Sequence, residues 1–283
     1  MDSRRHSNQM TRKELTTRLR QSTLVDGMAA MGSAGEDRLN PASDYDLLIV
    51  LVDKPLPITG GVTYVEGRFT DIIFTTSEDI ARLTRTGHNA IPQGSLEGTI
   101  VTWMETARIE FDKSGCLTCL QKRAREGLQL RPPSEGEKLS RLDKASYNLA
   151  HTKRMLASDD PVYHAAVDLR LLYQLSDLMV DYFLVRGLLW PGEKEAIRYW
   201  NLSDRGYLEL FMKCLKEKDR ARQVGYYEEL AGMTMAPVGT LWKTGATQFR
   251  LSPDSEMTRE KLESAEAFWE SLLKPTDGNG LSS

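Results

Sequence analysis

Residues 31–52 read MGSAGEDRLNPASDYDLLIVLV, and they decide how the first half of the chain folds. The aliphatic run from Leu47 to Val52 predicts a buried strand, which the chain enters through Asp44 and Asp46. Residues i and i+2 of a strand point to the same face, so the two carboxylates lie side by side at its start. Adjacent carboxylates repel unless a positive group lies between them. The pair therefore indicates a hard divalent cation, which takes oxygen ligands.

The Gly-Ser pair upstream of this strand adds a second feature. Gly32 has no Cβ and permits close approach of the backbone to a ligand, and Ser33 offers a hydroxyl and an amide. Together they suit the phosphate tail of a nucleotide whose metal is held by the aspartates. The alternative is that the aspartates only form a turn beside an ordinary core strand.

A hairpin further along the chain contains a third carboxylate. Residues Val62–Glu66 and Arg68–Thr75 predict two strands that pair across Gly67. In the second strand, Asp71 lies between two apolar residues of the same face. A carboxylate on a face directed to the core is costly unless a cation or a hydrogen-bond donor meets it.

These parts together resemble a known signature. Gly32-Ser33, ten intervening residues, Asp44-Tyr45-Asp46 and an aliphatic strand are similar to the motif of the nucleotidyltransferase superfamily, which includes DNA polymerase β and the aminoglycoside nucleotidyltransferases. The family also has a third carboxylate on a later strand, the place that Asp71 occupies. The resemblance at the level of motifs extends over residues 1–115.

The resemblance implies a magnesium-dependent transfer of a nucleoside monophosphate. It implies two Mg²⁺ ions, phosphate contacts from Gly32 and Ser33, and a metal-binding catalytic set formed by Asp44, Asp46 and Asp71. The transferred group is expected to be AMP from ATP. The expected acceptor is a hydroxyl of a small molecule such as an aminoglycoside-like compound, as in antibiotic resistance by aminoglycoside and lincosamide nucleotidyltransferases.

The proton acceptor and the functional class have alternatives. Asp71 is the expected general base, and a glutamate of the second half, Glu193 or Glu195, is the alternative. The same fold could instead modify a protein or the end of a tRNA, as toxin-antitoxin nucleotidyltransferases do. A nucleotide-binding module without chemistry is the third possibility, and the three carboxylates count against it.

Composition and charge restrict the partners. The chain has 283 residues, 40% of them hydrophobic and 27% charged, as expected of a soluble globular protein. Its net charge of −3 does not favour binding to the phosphates of duplex nucleic acid. The basic residues near the N-terminus keep RNA as an alternative partner. No apolar run approaches the roughly 20 residues that span a bilayer, and the polar start MDSRRHSNQM gives no secretory signal. A cytoplasmic location without a membrane partner is expected.

The periodicity predicts an α+β fold in two parts. Residues 1–130 form a nucleotidyltransferase domain with a mixed β-sheet, and residues 131–283 form a helical bundle after the Pro132-Pro133 linker. The predicted helices of the second part are Glu137–Leu156, His164–Leu188, Gly192–Trp200, Ser203–Lys218, Arg220–Met233 and Asp254–Leu273, the last with Asp254 as N-cap.

Three smaller features complete the predictions. The segment Thr86–Thr99 is rich in Gly, Pro and Asn and predicts a loop, in which His88 is a surface residue or a phosphate contact. Cys116 and Cys119 have the spacing of a redox pair, but we interpret them as small, partly buried helix residues. A helix after Thr75 is expected to be capped by Ser77.

Overall fold

The computed structural model describes residues 10–35, 42–53, 56–243, 247, 249, 251 and 256–273. Contacts divide the chain into two compact units, Met1–Arg131 and Pro132–Ser283. The first unit contains a β-sheet, and the described part of the second unit is helical. The predicted α+β class is therefore confirmed.

The first unit is built on a five-stranded sheet. Its strands are β1 (Val25–Met31), β2 (Tyr45–Leu51), β3 (Gly60–Val65), β4 (Arg68–Thr76) and β5 (Arg108–Asp112). They lie in the order β3-β4-β2-β1-β5, with β2 and β4 parallel and the other neighbours antiparallel. The sheet is mixed, as predicted. The predicted hairpin is the β3–β4 pair, and Glu66 and Gly67 at its turn both have positive φ, which suits a two-residue hairpin turn.

Helices of the first unit pack on both faces of this sheet. They are α1 (Arg12–Gln21), α2 (Gly32–Gly35), α3 (Ser77–Arg85), α4 (Leu96–Met104) and α5 (Cys116–Arg125). The N-cap of α3 is Thr76, whose hydroxyl accepts from the amide of Asp79. The prediction that Ser77 caps this helix is wrong by one residue. Ser77 donates instead to Asp26.

Helix α4 was not predicted. Residues 96–99 lie inside the segment expected to be a loop, and Ser95 caps the helix by accepting from the amide of Gly98 at 3.0 Å. The Gly and Thr residues and the β-branched pair Ile100-Val101 lower the local helix propensity. Burial of that pair and of Met104 in the core stabilises the helix despite this sequence.

Both faces of the central strand β2 are buried. Leu48 and Val50 pack under α3, α4 and α5, whereas Leu47 and Ile49 pack on the other face with Leu15 of α1. Because neither face meets water, the strand appears in the sequence as a continuous aliphatic run. Asp46 is two residues before Leu48 and four before Val50, so its side chain lies on the same side of the strand. We call that side the acid face.

The second unit forms its own core. Its helices are α6 (Glu135–Leu156), α7 (Pro161–Val185), α8 (Glu193–Ser203), α9 (Arg205–Lys216), α10 (Arg220–Met235) and α11 (Arg259–Leu273). Aromatic rings of α7, α8 and α9 dominate this core, including Tyr182, Trp200 and Tyr207. Helix α7 begins earlier than predicted because Asp160 caps it and proline suits a first turn. The predicted N-cap Asp254 lies outside the described residues.

Candidate active site

The strand register brings two of the predicted carboxylates together. Asp46 of β2 is the Cα partner of Asp71 of β4. On its other side Asp46 pairs with Met31, the last residue of β1, while Asp71 pairs with Val62 of β3. Strands in a sheet lie about 4.8 Å apart. Asp46 and Asp71 are therefore immediate neighbours on the acid face, in a row that runs across four strands.

Asp44 completes the predicted set. It lies directly before β2 and two residues before Asp46, and it is half-buried. Among the residues that the structure describes, the oxygens of Asp44, Asp46 and Asp71 do not all lie within 4.8 Å of one another. The fold thus brings the three aspartates to one region without closing them into a coordination shell.

Gly32 lies against this row. It has a φ of +55°, and a Cβ built on it would lie 2.8 Å from Oδ2 of Asp46. Any other residue would therefore collide with that carboxylate in a backbone conformation that side chains disfavour. Gly32 begins α2, so the chain turns from β1 into this short helix beside the carboxylate. The side chain of Ser33 lies outside the described part of the chain.

A cavity of about 300 Å³ opens at the same place. Asp46 and Asp71 line it, together with Met31, Val62 and the backbone of Gly60-Gly61. Trp103 of α4, the helix that was not predicted, supplies an aromatic wall. The volume is at the lower end of what small-molecule sites use. A cavity with an apolar lining and two carboxylates suits a ligand that brings positive charge or a cation.

A second acidic cluster was missed by the sequence analysis. One oxygen each of Asp26 and Asp112 and the sulfur of Cys116 lie within 4.8 Å of one another, a grouping that could hold a metal ion. Asp26 is on β1, five residues before Met31, so this cluster lies roughly 16 Å along the strand from Asp46. A lone aspartate inside the apolar run of β1 was the signal that could have revealed it.

Hydrogen bonds already occupy most of this cluster. The hydroxyls of Ser77 and Ser114 donate to Oδ2 of Asp26, at 2.7 and 2.5 Å, and the amide of Ser114 donates to Oδ1. Burial by itself raises the pKa of Asp26, but these donors and the Cys116 thiol hold it below its usual value. Burial and the neighbouring carboxylates raise the pKa of Cys116 to about 11. The thiol is therefore protonated at neutral pH and donates to Asp26 at 3.4 Å.

Two of the remaining candidates, His88 and Glu195, have structural partners. His88 accepts from the amide of Gln129 through Nδ1 at 3.2 Å, which holds two loops together. Cys119 is exposed and, like Cys116, is a free thiol, so the interpretation of a partly buried pair is correct for Cys116 alone. Glu195, one of the two alternative bases, forms an ion pair with Arg198.

Comparison with known proteins gives similarities among solved structures alone. No protein-family model matches the chain, and no curated protein matches it. Among solved structures it is similar to a nucleotidyltransferase-like protein from Exiguobacterium sibiricum 255-15, with 15% identity over 96% of each chain and a TM-score of 0.38. A similarity of this size assigns no nucleotide, acceptor or subfamily.

Within the described ranges, no helix combines the length and the hydrophobicity needed to cross a membrane.

Proposed function

We propose that the chain is a divalent-metal-dependent nucleotidyltransferase that moves AMP from ATP to a hydroxyl of a small molecule. The observation that supports it most is the row in which Gly32, Asp46 and Asp71 meet on one face beside a cavity. The distant nucleotidyltransferase-like structure agrees with the general class only.

The residues of the row fit a hard divalent cation. Asp46 and Asp71 are adjacent in register and Asp44 lies directly before β2, so all three can supply carboxylate oxygens, the ligands that Mg²⁺ prefers. Bound Mg²⁺ ions would orient the triphosphate and neutralise charge on the attacking and leaving oxygens. The absence of a side chain at Gly32 leaves room for phosphate oxygens next to Asp46, and the resemblance adds Ser33 as a second phosphate contact.

Asp71 is the proposed proton acceptor. It lies on the far side of Asp46 from Gly32, so a hydroxyl next to it would face a triphosphate held at Gly32. The acceptor oxygen forms a bond to the α-phosphorus, the bond from that phosphorus to pyrophosphate breaks, and the hydroxyl proton passes to Asp71. General-base assistance of this kind contributes roughly 10²- to 10⁴-fold.

The acidic face favours a cationic acceptor, and an aminoglycoside-like compound is the class that we propose. A protein or tRNA acceptor is the second candidate, supported by the basic N-terminal residues of the sequence. A purely nucleotide-binding module would leave the clustering of Asp44, Asp46 and Asp71 without a role.

The test follows the α-phosphate of ATP. Purified protein is incubated with α-labelled ATP, Mg²⁺ and separate pools of aminoglycosides, lincosamides, protein and tRNA. We expect label in one of the small-molecule pools, with pyrophosphate released only when that pool is present. Asp46→Asn should abolish transfer, whereas Asp159→Asn, which changes an exposed acid of the second unit, serves as the matched control. Label in tRNA or protein would show that the acceptor is a macromolecule and not a small molecule. Nucleotide binding without any transfer would identify a binding module.

A further inference from the structure

An exposed aromatic pair lies beside the carboxylate row. Tyr64 of β3 and Phe69 of β4 are Cα partners, and their rings meet edge to face with centroids 5.9 Å apart. Tyr64 is 60% exposed, Phe69 45% and Val62 59%. We call these three side chains the hairpin shelf. Large apolar side chains grouped at one surface site indicate an interaction surface more strongly than scattered ones do.

The shelf is continuous with the proposed active site. Val62 pairs directly with Asp71, and Tyr64 and Phe69 lie two residues away along their strands, so all share the acid face. Val62 also lines the cavity that Asp46 and Asp71 line. Because the strand order is β3-β4-β2-β1, Val62 and Tyr64 lie on the side of Asp71 that is opposite Gly32, and Phe69 lies on the same strand as Asp71.

The hairpin that presents the shelf is held in place from the opposite face. The carboxylate of Glu66, at the turn, accepts from the hydroxyl of Tyr45 at 2.7 Å and from the amide of Arg12 at 2.9 Å. The amide of Glu66 donates to the carbonyl of Met10 at 3.1 Å. The two rings are therefore exposed on a fixed support, so a ligand does not have to order the hairpin first.

Charge on this face selects the kind of ligand. Along β3 and β4, the only charged residue that shares the face of the shelf is Asp71, and Asp46 follows on the neighbouring strand β2, with Asp44 directly before that strand. A polyanion would be repelled by these carboxylates. Aromatic rings, by contrast, bind flat rings and cations through their faces.

We propose that the hairpin shelf binds the acceptor, and that the acceptor is a ring-containing small molecule that is neutral or cationic. This inference rests on the proposed transfer for its position next to Asp71. Tyr64 and Phe69 would contact the apolar face of the ring, while the reacting hydroxyl points to Asp71. The shelf then selects which acceptor binds, and the nucleotide is bound on the Gly32 side.

Binding of small probes, measured without ATP, tests the shelf independently of transfer. The probes are an aminocyclitol glycoside, a lincosamide, AMP and a short single-stranded RNA, each followed by saturation-transfer NMR and titration. For one of the first two, we expect Tyr64→Ala and Phe69→Ala to weaken binding by about five- to tenfold. Tyr64→Phe keeps the ring and should bind within about twofold of the parent. Leu202→Ala, at a site 85% exposed in the second unit, is the control for loss of a surface side chain.

The outcomes separate this inference from the proposed function. If binding of a ring probe depends on Tyr64 but the protein transfers no label from ATP, the shelf is a binding site and the proposed transfer is wrong. AMP or RNA binding that depends on Tyr64 would overturn the assignment of the shelf to a neutral or cationic acceptor. Equal responses of the parent and Tyr64→Ala to every probe would also overturn it, whether all probes bind or none does.

Discussion

At the scale of single residues, the proposed chemistry depends on a small number of positions with different tasks. Asp46 is adjacent to both Gly32 and Asp71, so in the proposed reaction it would lie between the phosphates and the acceptor. Asp71 adjoins Val62 of the hairpin shelf. Substitutions at Gly32 and Asp71 should therefore affect different steps of the same reaction.

Asp71→Asn should reduce turnover more than nucleotide affinity. The change keeps the size of the side chain and removes its charge, while in the proposed site Asp44 and Asp46 would still hold the metal of the triphosphate. We expect affinity for Mg·ATP within about tenfold of the parent, roughly 1.4 kcal/mol at most, and turnover lower by at least about two orders of magnitude. Titration calorimetry and single-turnover kinetics measure the two effects separately. Loss of ATP binding with normal turnover at saturation would make Asp71 a nucleotide ligand instead.

Gly32→Ala should impair the site through its backbone. The new Cβ would lie 2.8 Å from Oδ2 of Asp46, at a φ of +55°, so either the carboxylate or the start of α2 must move. We expect a loss of stability on the order of 1–2 kcal/mol and a loss of transfer of more than about tenfold. The matched control is Gly87→Ala, where an added Cβ meets nothing within 4 Å. Equal activity of the two variants would show that the backbone at Gly32 does not approach the ligand.

At the scale of elements, Asp26 ties three segments of the first unit together. It belongs to β1, accepts from Ser77 at the start of α3, and accepts from Ser114 just before α5. Because this buried carboxylate accepts hydrogen bonds from both other segments, it fixes the positions of the three segments relative to one another. This explains why an aspartate that is 5% exposed is tolerated in an otherwise apolar strand.

Removing the Asp26 side chain should destabilise the unit without involving a metal. Asp26→Ala removes the buried acceptor that the hydroxyls of Ser77 and Ser114 share, and we expect a loss on the order of 2–4 kcal/mol. Because these donors already occupy Asp26, a chelator should leave the melting temperature of the parent unchanged. Thermal unfolding with and without EDTA measures both effects. A fall in melting temperature with EDTA that disappears in Asp26→Ala would instead identify a structural metal at Asp26, Asp112 and Cys116.

At the scale of the whole molecule, the chain consists of two compact units with separate cores. The first unit provides the carboxylate row, the cavity and the hairpin shelf. The second contributes a buried acidic residue: Asp181 on α7 is only 2% exposed, and its Oδ1 lies 3.3 Å from Arg141. Burial raises the pKa of Asp181 to about 6 even though Arg141 opposes the shift.

This residue should make stability depend on pH between about 4 and 6. The folded-state pKa of about 6 lies above the ordinary value of 3.8, so folding favours the protonated form. Stability is therefore lost as pH rises from about 4 through 6, by an amount on the order of 3 kcal/mol. Asp181→Asn cannot ionise and should be more stable than the parent at pH 8 but not at pH 4.5, as measured by urea unfolding. The same difference at both pH values would contradict the assignment, and Asp159→Asn, at an exposed site, should show none.

Much of the fold could be predicted because its patterns are local. The hairpin, the strand after Asp44 and the helical second half follow from turn residues and periodicity, which act between near neighbours. Helix α4 could not be predicted, because its formation depends on burying Ile100 and Val101 against other elements. Trp103, which this helix brings to the cavity, was missed for the same reason.

The sequence by itself determined that a buried strand follows Asp44, since a run of aliphatic residues is a local pattern. Tertiary structure alone decided that Asp71 is the neighbour of Asp46, that the hairpin shelf adjoins Asp71, and that Asp26 meets Ser77 and Ser114. The physical reason is register: β2 and β4 are distant in the chain, and a slip of one residue between them would turn Asp71 to the opposite face. Burial of apolar side chains on both faces of the sheet fixes that register, and no local pattern contains it.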